Sequence, residues 1–280
     1  MRYKYYGTAA YEGIPALWCE CDVCRRAREA GGKNVMSRSQ QTVDNKILID
    51  FSADTFMHSL GGLPLTKIHS CMITHDHSDH LYPSDMLARL GDYAYLKDET
   101  PFTVYAASAG AKHIERVLKK EIEDREQDRI RIREIETFRS FEAEGYEITP
   151  LKANHASVTT PVIYLIKKDE KCILHAHDTG YFPEETWQYL ENNPVHLNFV
   201  SFDCTLIGLF SDNDKMNGHM NFPSVINVRN RLCTMGLIDN HTICAVSHFS
   251  HNGLCCYDEL VRMGKKENFV IAYDGLEIEV

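Results

Sequence analysis

The heptapeptide Thr74-His75-Asp76-His77-Ser78-Asp79-His80 places three histidines and Asp79 within six positions. His75 and His77 are two apart, so both imidazoles can face one point from an extended or loop backbone. A loop fixed between a strand and a helix can hold His75, His77, Asp79 and His80 around two cations. Neutral imidazole and carboxylate suit Zn²⁺, and also Mn²⁺ or Fe. Two ions need more ligands, and distant segments offer them. His155 follows the apolar run 146–152, Asp178 ends the run 172–177, and His248 ends the run 242–247. Each stands at the end of a strand, where a loop can present it to a common site.

A second cluster differs in kind. Cys19-Glu20-Cys21-Asp22-Val23-Cys24 supplies three thiolates, enough to wrap a tetrahedral Zn²⁺ with one vertex open. His251, three residues after His248, is the expected fourth ligand of a closed Cys₃His site, structural in character. A redox Cys-x-x-Cys pair is the rival, but no thioredoxin-like pattern surrounds it. The start of the chain has no apolar signal segment, so its ten cysteines are expected reduced rather than paired, and the protein cytoplasmic. Cys71, Cys172, Cys204, Cys233 and Cys244 lie in apolar contexts and read as core thiols.

The elements that must position these groups alternate along the chain. Strand runs are read at 46–49, 67–74, 102–105, 162–166, 172–177, 196–202 and 242–247. The runs 162–166 and 172–177 read as a hairpin around Lys168-Asp169-Glu170. The runs 269–273 and 276–280 read as another around Asp274-Gly275. Helical spacing is read at 84–96, 109–122, 183–191, 223–235 and 255–263. The stretch 124–144 alternates acids with bases and reads as a solvated edge strand plus loop. On a strand ending at Asp178, His175 and His177 point away from the face that Asp178 serves, and read as packing residues. No linker or repeat divides residues 1–280, which favours one α/β domain.

Composition sets the limits. With 44% hydrophobic and 25% charged residues the chain is ordinary for a folded protein. Its net charge of −10 disfavours a broad nucleic-acid surface, and no apolar run is long enough to cross a membrane.

Taken together, His75-x-His77-x-Asp79-His80, His155, Asp178-Thr179-Gly180 and His248 resemble the metallo-β-lactamase superfamily. The Cys19–Cys24 cluster and Ser247-His248-Phe249-Ser250-His251 resemble its PhnP-like branch of phosphoribosyl cyclic phosphodiesterases, and Gly7-Thr8 and Asp274-Gly275 also fit. The resemblance implies a four-layer αββα sandwich with the site at one edge of the sheets. It implies one divalent ion on His75, His77 and His155, a second on Asp79, His80 and His248, and Asp178 bridging both. It also implies a catalytic histidine at His219, in the Gly-flanked loop Asn217-Gly218-His219, contacting substrate phosphate or protonating the leaving oxygen. Asp50, which closes the strand before the histidine motif, is expected to orient a ligand histidine.

The activity so implied is a dimetal phosphodiesterase that opens a small cyclic ribosyl or nucleotide-like ester with a metal-bridging hydroxide. It would use two Zn or Mn ions, or Fe, with one structural Zn. Related proteins are often dimers, so the analogy extends to a homodimer. Two other readings stay open. A PqqB-like protein would bind or oxidise a cofactor precursor without hydrolysis. A tRNA 3′-processing nuclease is disfavoured by the net charge and by the lack of a long basic arm.

Overall fold

The computed structural model describes residues 1–119, 129–156 and 160–280. In chain order the strands are β1 (Arg2–Gly7), β2 (Gln40–Val43), β3 (Ile47–Ile49), β4 (Ser70–Met72), β5 (Phe102–Ala106), β6 (Ile130–Glu134) and β7 (Phe141–Ala143), then β8 (Tyr146–Lys152), β9 (Val162–Lys168), β10 (Lys171–Ala176), β11 (Phe199–Asp203), β12 (Ile243–Ser247), β13 (Val270–Ile271) and β14 (Glu277–Glu279). The α-helices are α1 (Asp22–Ala30), α2 (Thr55–Leu60), α3 (Ser108–Leu118), α4 (Glu184–Asn192), α5 (Phe222–Thr234) and α6 (Tyr257–Glu267). The strands build two seven-stranded mixed sheets, ordered β14-β1-β2-β3-β4-β5-β6 and β13-β12-β11-β10-β9-β8-β7.

Side-chain alternation explains the layering. Ile47 and Ile49 of β3 face the space between the sheets, where they join Tyr3, Tyr5, Met72, Tyr164, Ile173 and Phe199. Leu48, between them, points outward to a second core with Cys71, Val104 and, from α3, Ala111, Ile114 and Leu118. A third core lies on the outer face of the other sheet, where Leu174, Val200 and Val246 meet Val23 of α1, Trp187 of α4, Val228 of α5 and Leu260 of α6. Three cores separate four layers, the αββα sandwich. Strands covered on both faces are mostly apolar, which is why β3 reads as a short unbroken apolar run.

Two parallel groups set the position of the site. β3 and β4 run parallel in one sheet, and β10, β11 and β12 run parallel in the other. Their carboxyl ends deliver Asp50, the 75–80 loop, Asp178, Asp203 and His248. The sheets are tied there by Val162 N–H donating to Thr74 O at 2.9 Å and by Tyr164 Oη–H donating to Ile73 O at 2.6 Å.

Three expectations are corrected. Residues 269–280 form no hairpin: β13 pairs with β12 in one sheet and β14 with β1 in the other, so Asp274-Gly275 carries the chain across the sandwich. Residues 84–96 form 3₁₀ turns at Pro83–Arg89 and Gly91–Tyr93 rather than an α-helix. Gly91 takes a positive φ there, and Leu90 is extended, so the helix cannot propagate. Cys233 is exposed, because it falls on the outer side of α5 while Leu232 takes the inner side. The strands β1 and β2 and the helices α1 and α2 went unread. Of the stretch 124–144, β6 and β7 are edge strands as expected, and 124–128 lie outside the described residues, as do 120–122 of the expected helix 109–122.

Candidate metal centre and cleft

Asp178 ends β10 with its carboxylate in the middle of the histidines. Its Oδ1 lies 3.6 Å from His155 Nε2 and 4.0 Å from His75 Nε2. Its Oδ2 lies 2.9 Å from His80 Nε2 and 2.8 Å from His248 Nε2. Asp79 Oδ2 is 3.2 Å from His80 Nε2, and His77 Nδ1 is 3.3 Å from His155 Nε2. The potential donor atoms therefore form two groups, His75/His77/His155 and Asp79/His80/His248, each within 4.8 Å, with one oxygen of Asp178 facing each.

The far sides of the rings are fixed by the protein. His80 Nδ1–H donates to Asp50 Oδ2 at 2.6 Å, and Asp50 Oδ1 accepts from Thr74 N–H at 2.8 Å. His155 Nδ1–H donates to Gly218 O at 2.9 Å. His248 Nδ1–H donates to Thr205 Oγ1 at 2.8 Å, which donates in turn to Asp203 Oδ2 at 3.1 Å. Each of these bonds occupies Nδ1 and turns Nε2 inward, the nitrogen that a metal ion would take in place of a proton.

The chemistry of the donor set fits divalent ions. His75 Nε2, His80 Nε2, His248 Nε2 and Asp178 Oδ2 are buried and lack hydrogen-bond geometry to any protein group, although they crowd together. Buried polar atoms without such partners are costly unless something else binds them. Burial, with neighbouring histidines, holds the His75 imidazole well below the ordinary range, so it is neutral. Burial alone would raise the carboxyls of Asp178 and Asp79, but His248 and His80 outweigh it at Asp178, and His80 does so at Asp79, keeping both ionised. Burial opposes charge on His80, yet Asp178, Asp79 and Asp50 outweigh it and favour a positive charge there.

His219 follows Gly218, whose φ is +78°. Its Nδ1 lies 3.0 Å from Asp203 Oδ2 and 4.0 Å from Asp178 Oδ1. Burial alone would lower its pKa, but Asp203 outweighs this and pushes it up to about 9. A cavity of about 460 Å³ opens over these groups, lined by His77, Asp79, His155, Asp178, His219 and His248 among others.

Asp203 is a site residue that the sequence reading missed. It is sealed from solvent and also accepts from the backbone N–H groups of Asp178, Thr205 and Met220, at 3.1, 3.1 and 2.9 Å. The usable signal was that it ends an apolar strand, as Asp50 and Asp178 end theirs. Asp50, Asp178 and His248 have φ of +65°, +48° and +64°, a left-handed turn that swings each side chain off its strand and into the site.

His175 and His177 lie between the sheets, as packing residues would, but hydrogen-bonded. His175 Nδ1 is 2.6 Å from Tyr3 Oη, and His177 Nε2 is 2.8 Å from Ser201 Oγ. Neither appears in the two groups around Asp178.

The cysteine cluster assembles separately. Cys21 caps α1, and its Sγ accepts from Cys24 N–H at 3.5 Å. His251 Nδ1 lies 3.5 Å from Cys19 Sγ and 3.4 Å from Cys21 Sγ, and Cys24 completes a four-residue group within 4.8 Å. All four side chains could share one tetrahedral ion.

Two sheets between helices, with a His/Asp centre at the carboxyl ends of their parallel strands, define the metallo-β-lactamase type of fold. Residues 45–238, more than half of the chain, match the family described as the beta-lactamase superfamily domain, and the chain belongs to that family. Among solved structures it is similar to Zn(2+)-bound PqqB from Methylobacterium extorquens, with a TM-score of 0.75, 18% identity and 100% of both chains covered. It is also similar to a diphosphatase from the PhnP family, with a TM-score of 0.72 and 19% identity over 100% of this chain and 97% of that one. Human tRNase Z, short form, gives a TM-score of 0.66 and 14% identity over 100% and 99%. At such identities the likeness is one of fold. No curated protein sequence matches the chain.

Proposed function

We propose that the chain is a metal-dependent phosphodiesterase of the PhnP-like branch, acting on a small cyclic ribosyl or nucleotide-like phosphodiester. The observation that carries this reading is the pair of donor groups meeting on the two oxygens of Asp178, with the His219 imidazole on the same cavity. His75, His77 and His155 would hold one Zn or Mn ion, Asp79, His80 and His248 a second, and Asp178 both. Bound there, the ions would supply Lewis-acid activation of water and neutralise phosphate charge. Cys19, Cys21, Cys24 and His251 would hold a structural Zn.

The chain's own residues do the rest. His219 carries a proton that Asp203 stabilises through Nδ1, leaving Nε2–H for a phosphate oxygen or the leaving alkoxide. Thr205 and Asp203 keep the His248 ring in one tautomer. The cavity volume suits a mononucleotide-sized ligand. Among the described residues its lining includes neither Lys nor Arg, which supports a small ester over a polynucleotide.

The test is hydrolysis of bis-p-nitrophenyl phosphate and of 2′,3′-cyclic nucleotides by chain loaded with Zn²⁺ or Mn²⁺. Turnover is expected, and His219→Ala should lower kcat by roughly 10²–10⁴ with metal content unchanged. No phosphate-ester turnover, with tight binding of a non-phosphate metabolite, would instead support a PqqB-like role.

A further inference from the structure

The cysteine cluster draws its one imidazole from the far end of the chain, and a carboxylate stands behind that ring. His251 turns Nδ1 toward the thiols, 3.5 Å from Cys19 Sγ and 3.4 Å from Cys21 Sγ. Its other nitrogen, Nε2, lies 3.7 Å from Oε1 of Glu12. The Ser250 hydroxyl donates to the same carboxylate oxygen, while its own oxygen accepts from Asn252 N–H at 3.1 Å. Both segments are held by the backbone. Ala10 N–H donates to Phe249 O at 2.9 Å, Ile14 N–H to Met36 O at 2.9 Å, and Gly253 N–H to Ser250 O at 3.1 Å. Among the described residues no lysine or arginine pairs with Glu12, so the His251 ring is the group its charge faces. Both side chains are mostly covered, with 26% of Glu12 and 15% of His251 exposed, which limits screening by water.

From this geometry we infer that Glu12 is the positioning carboxylate of His251, holding the ring with Nδ1 toward Cys19, Cys21 and Cys24 and raising the affinity of that cluster for Zn²⁺. The inference rests on the zinc reading of the cysteines and not on the reaction at the His/Asp centre. A ring nitrogen that takes an ion gives up its proton, so the proton of a neutral His251 ring sits on Nε2. At 3.7 Å the contact is a negative charge facing an N–H rather than a hydrogen bond. It still acts on the ion. Binding at Nδ1 draws electron density from the ring and makes Nε2–H more positive, a state that a fixed negative charge stabilises. Three thiolates leave a tetrahedral ion one ligand short, so the orientation of His251 decides whether the shell closes. The bond from Ser250 keeps the carboxylate from swinging out to solvent, where a side chain of this length has more freedom.

The experiment places Co²⁺ in the full chain as a probe of the cysteine cluster. Thiolate-to-cobalt charge-transfer absorption arises where sulfur binds the ion, so it separates this cluster from the His/Asp centre. Removal of the ion by a chelator of known affinity then gives the dissociation constant. The wild type should show the band, Glu12→Gln should weaken binding by about tenfold, and Glu12→Ala by about 10–100-fold. Glutamine keeps the shape and still accepts from Ser250, so it separates the charge from mere support of the turn. Wild-type affinity in Glu12→Gln would overturn the inference. A wild type without the band would overturn it together with the zinc reading. Should the variants fail to fold, the wild type decides by magnetic resonance, with spin-active cadmium at the cysteines and isotopically labelled histidine nitrogen. Spin coupling should join the ion to Nδ1 of His251. Coupling through Nε2, or none, would put Glu12 on the wrong side of the ring and sink the idea. Ester hydrolysis enters none of these readouts, so its absence would count against the proposed reaction alone.

Discussion

His80 Nδ1 and Asp50 Oδ2 lie 2.6 Å apart, with both side chains sealed from solvent. Asp50 thus decides which nitrogen of His80 is left to bind an ion. Asp50→Asn weakens that bond and removes a negative charge behind the ring. Affinity for the ion on Asp79, His80 and His248 should fall by about 10–100-fold. Competition against a chelator, with circular dichroism to check the fold, measures it.

Asp203→Asn should alter proton transfer at His219, beside any effect through Thr205 on the His248 ring. Burial opposes a proton on His219, and Asp203 outweighs it to hold the pKa at about 9. If the protonated ring works, activity is lost as pH rises through about 9. Without the Asp203 charge the loss should begin at lower pH, and kcat at neutral pH should drop by roughly tenfold or more. A kcat–pH profile of both proteins, read beside metal analysis, checks the direction.

Gly180 is where the Asp178 loop presses on the loop that carries His219. A Cβ there would stand 2.2 Å from Met216 O and 2.8 Å from Asn217 Cα. Tyr181 N–H donates to Met216 O at 2.7 Å, and Asn154 O accepts from both Gly180 N–H and Gly218 N–H. Gly180→Ala must push residues 216–218 away, displacing His219. Stability should fall by about 1–3 kcal/mol and kcat by an order of magnitude, measured by urea unfolding and by ester hydrolysis.

Asp274 gives a pH signature distant from the His/Asp centre. Burial raises its carboxyl from 3.8 to about 6, only partly offset by Ser37 and Thr8. A folded-state value above the unfolded one means that the native chain binds this proton more readily. Its stabilising contribution is greatest below about pH 4 and is lost as pH climbs through about 6. Asp274→Asn removes that dependence. Relative to wild type, the variant should therefore gain stability between about pH 4 and about pH 7, by at most about 3 kcal/mol. Urea unfolding at the two pH values decides; a parallel pair of curves would refute it.

Much of the fold was legible because strands covered on both faces leave short apolar runs, and those runs end in Asp or His. That pattern marked Asp50, Asp178 and His248. The same pattern marked Asp203, overlooked because an aspartate closing a strand also reads as an ordinary turn residue. β1 was hidden by its tyrosines and lysine, since Tyr3 and Tyr5 bury their rings between the sheets while their hydroxyls meet His175 and Ser201. The Asp274-Gly275 turn misled because a local hairpin signal cannot report which sheet the next strand joins. Spacing cannot show that Asp178 offers one oxygen to each donor group, since that depends on segments spread along the chain from His75 to His248.

The left-handed backbone at Asp50, Asp178 and His248 has an evolutionary consequence. Each such residue costs on the order of 1 kcal/mol that glycine would avoid. Selection for endurance to heat alone would therefore drift these three positions toward glycine and erase the chemistry while hardening the scaffold. Keeping aspartate and histidine there means that a lineage of this chain retains them against a standing thermodynamic pull, and heat-adapted descendants must find their extra stability elsewhere.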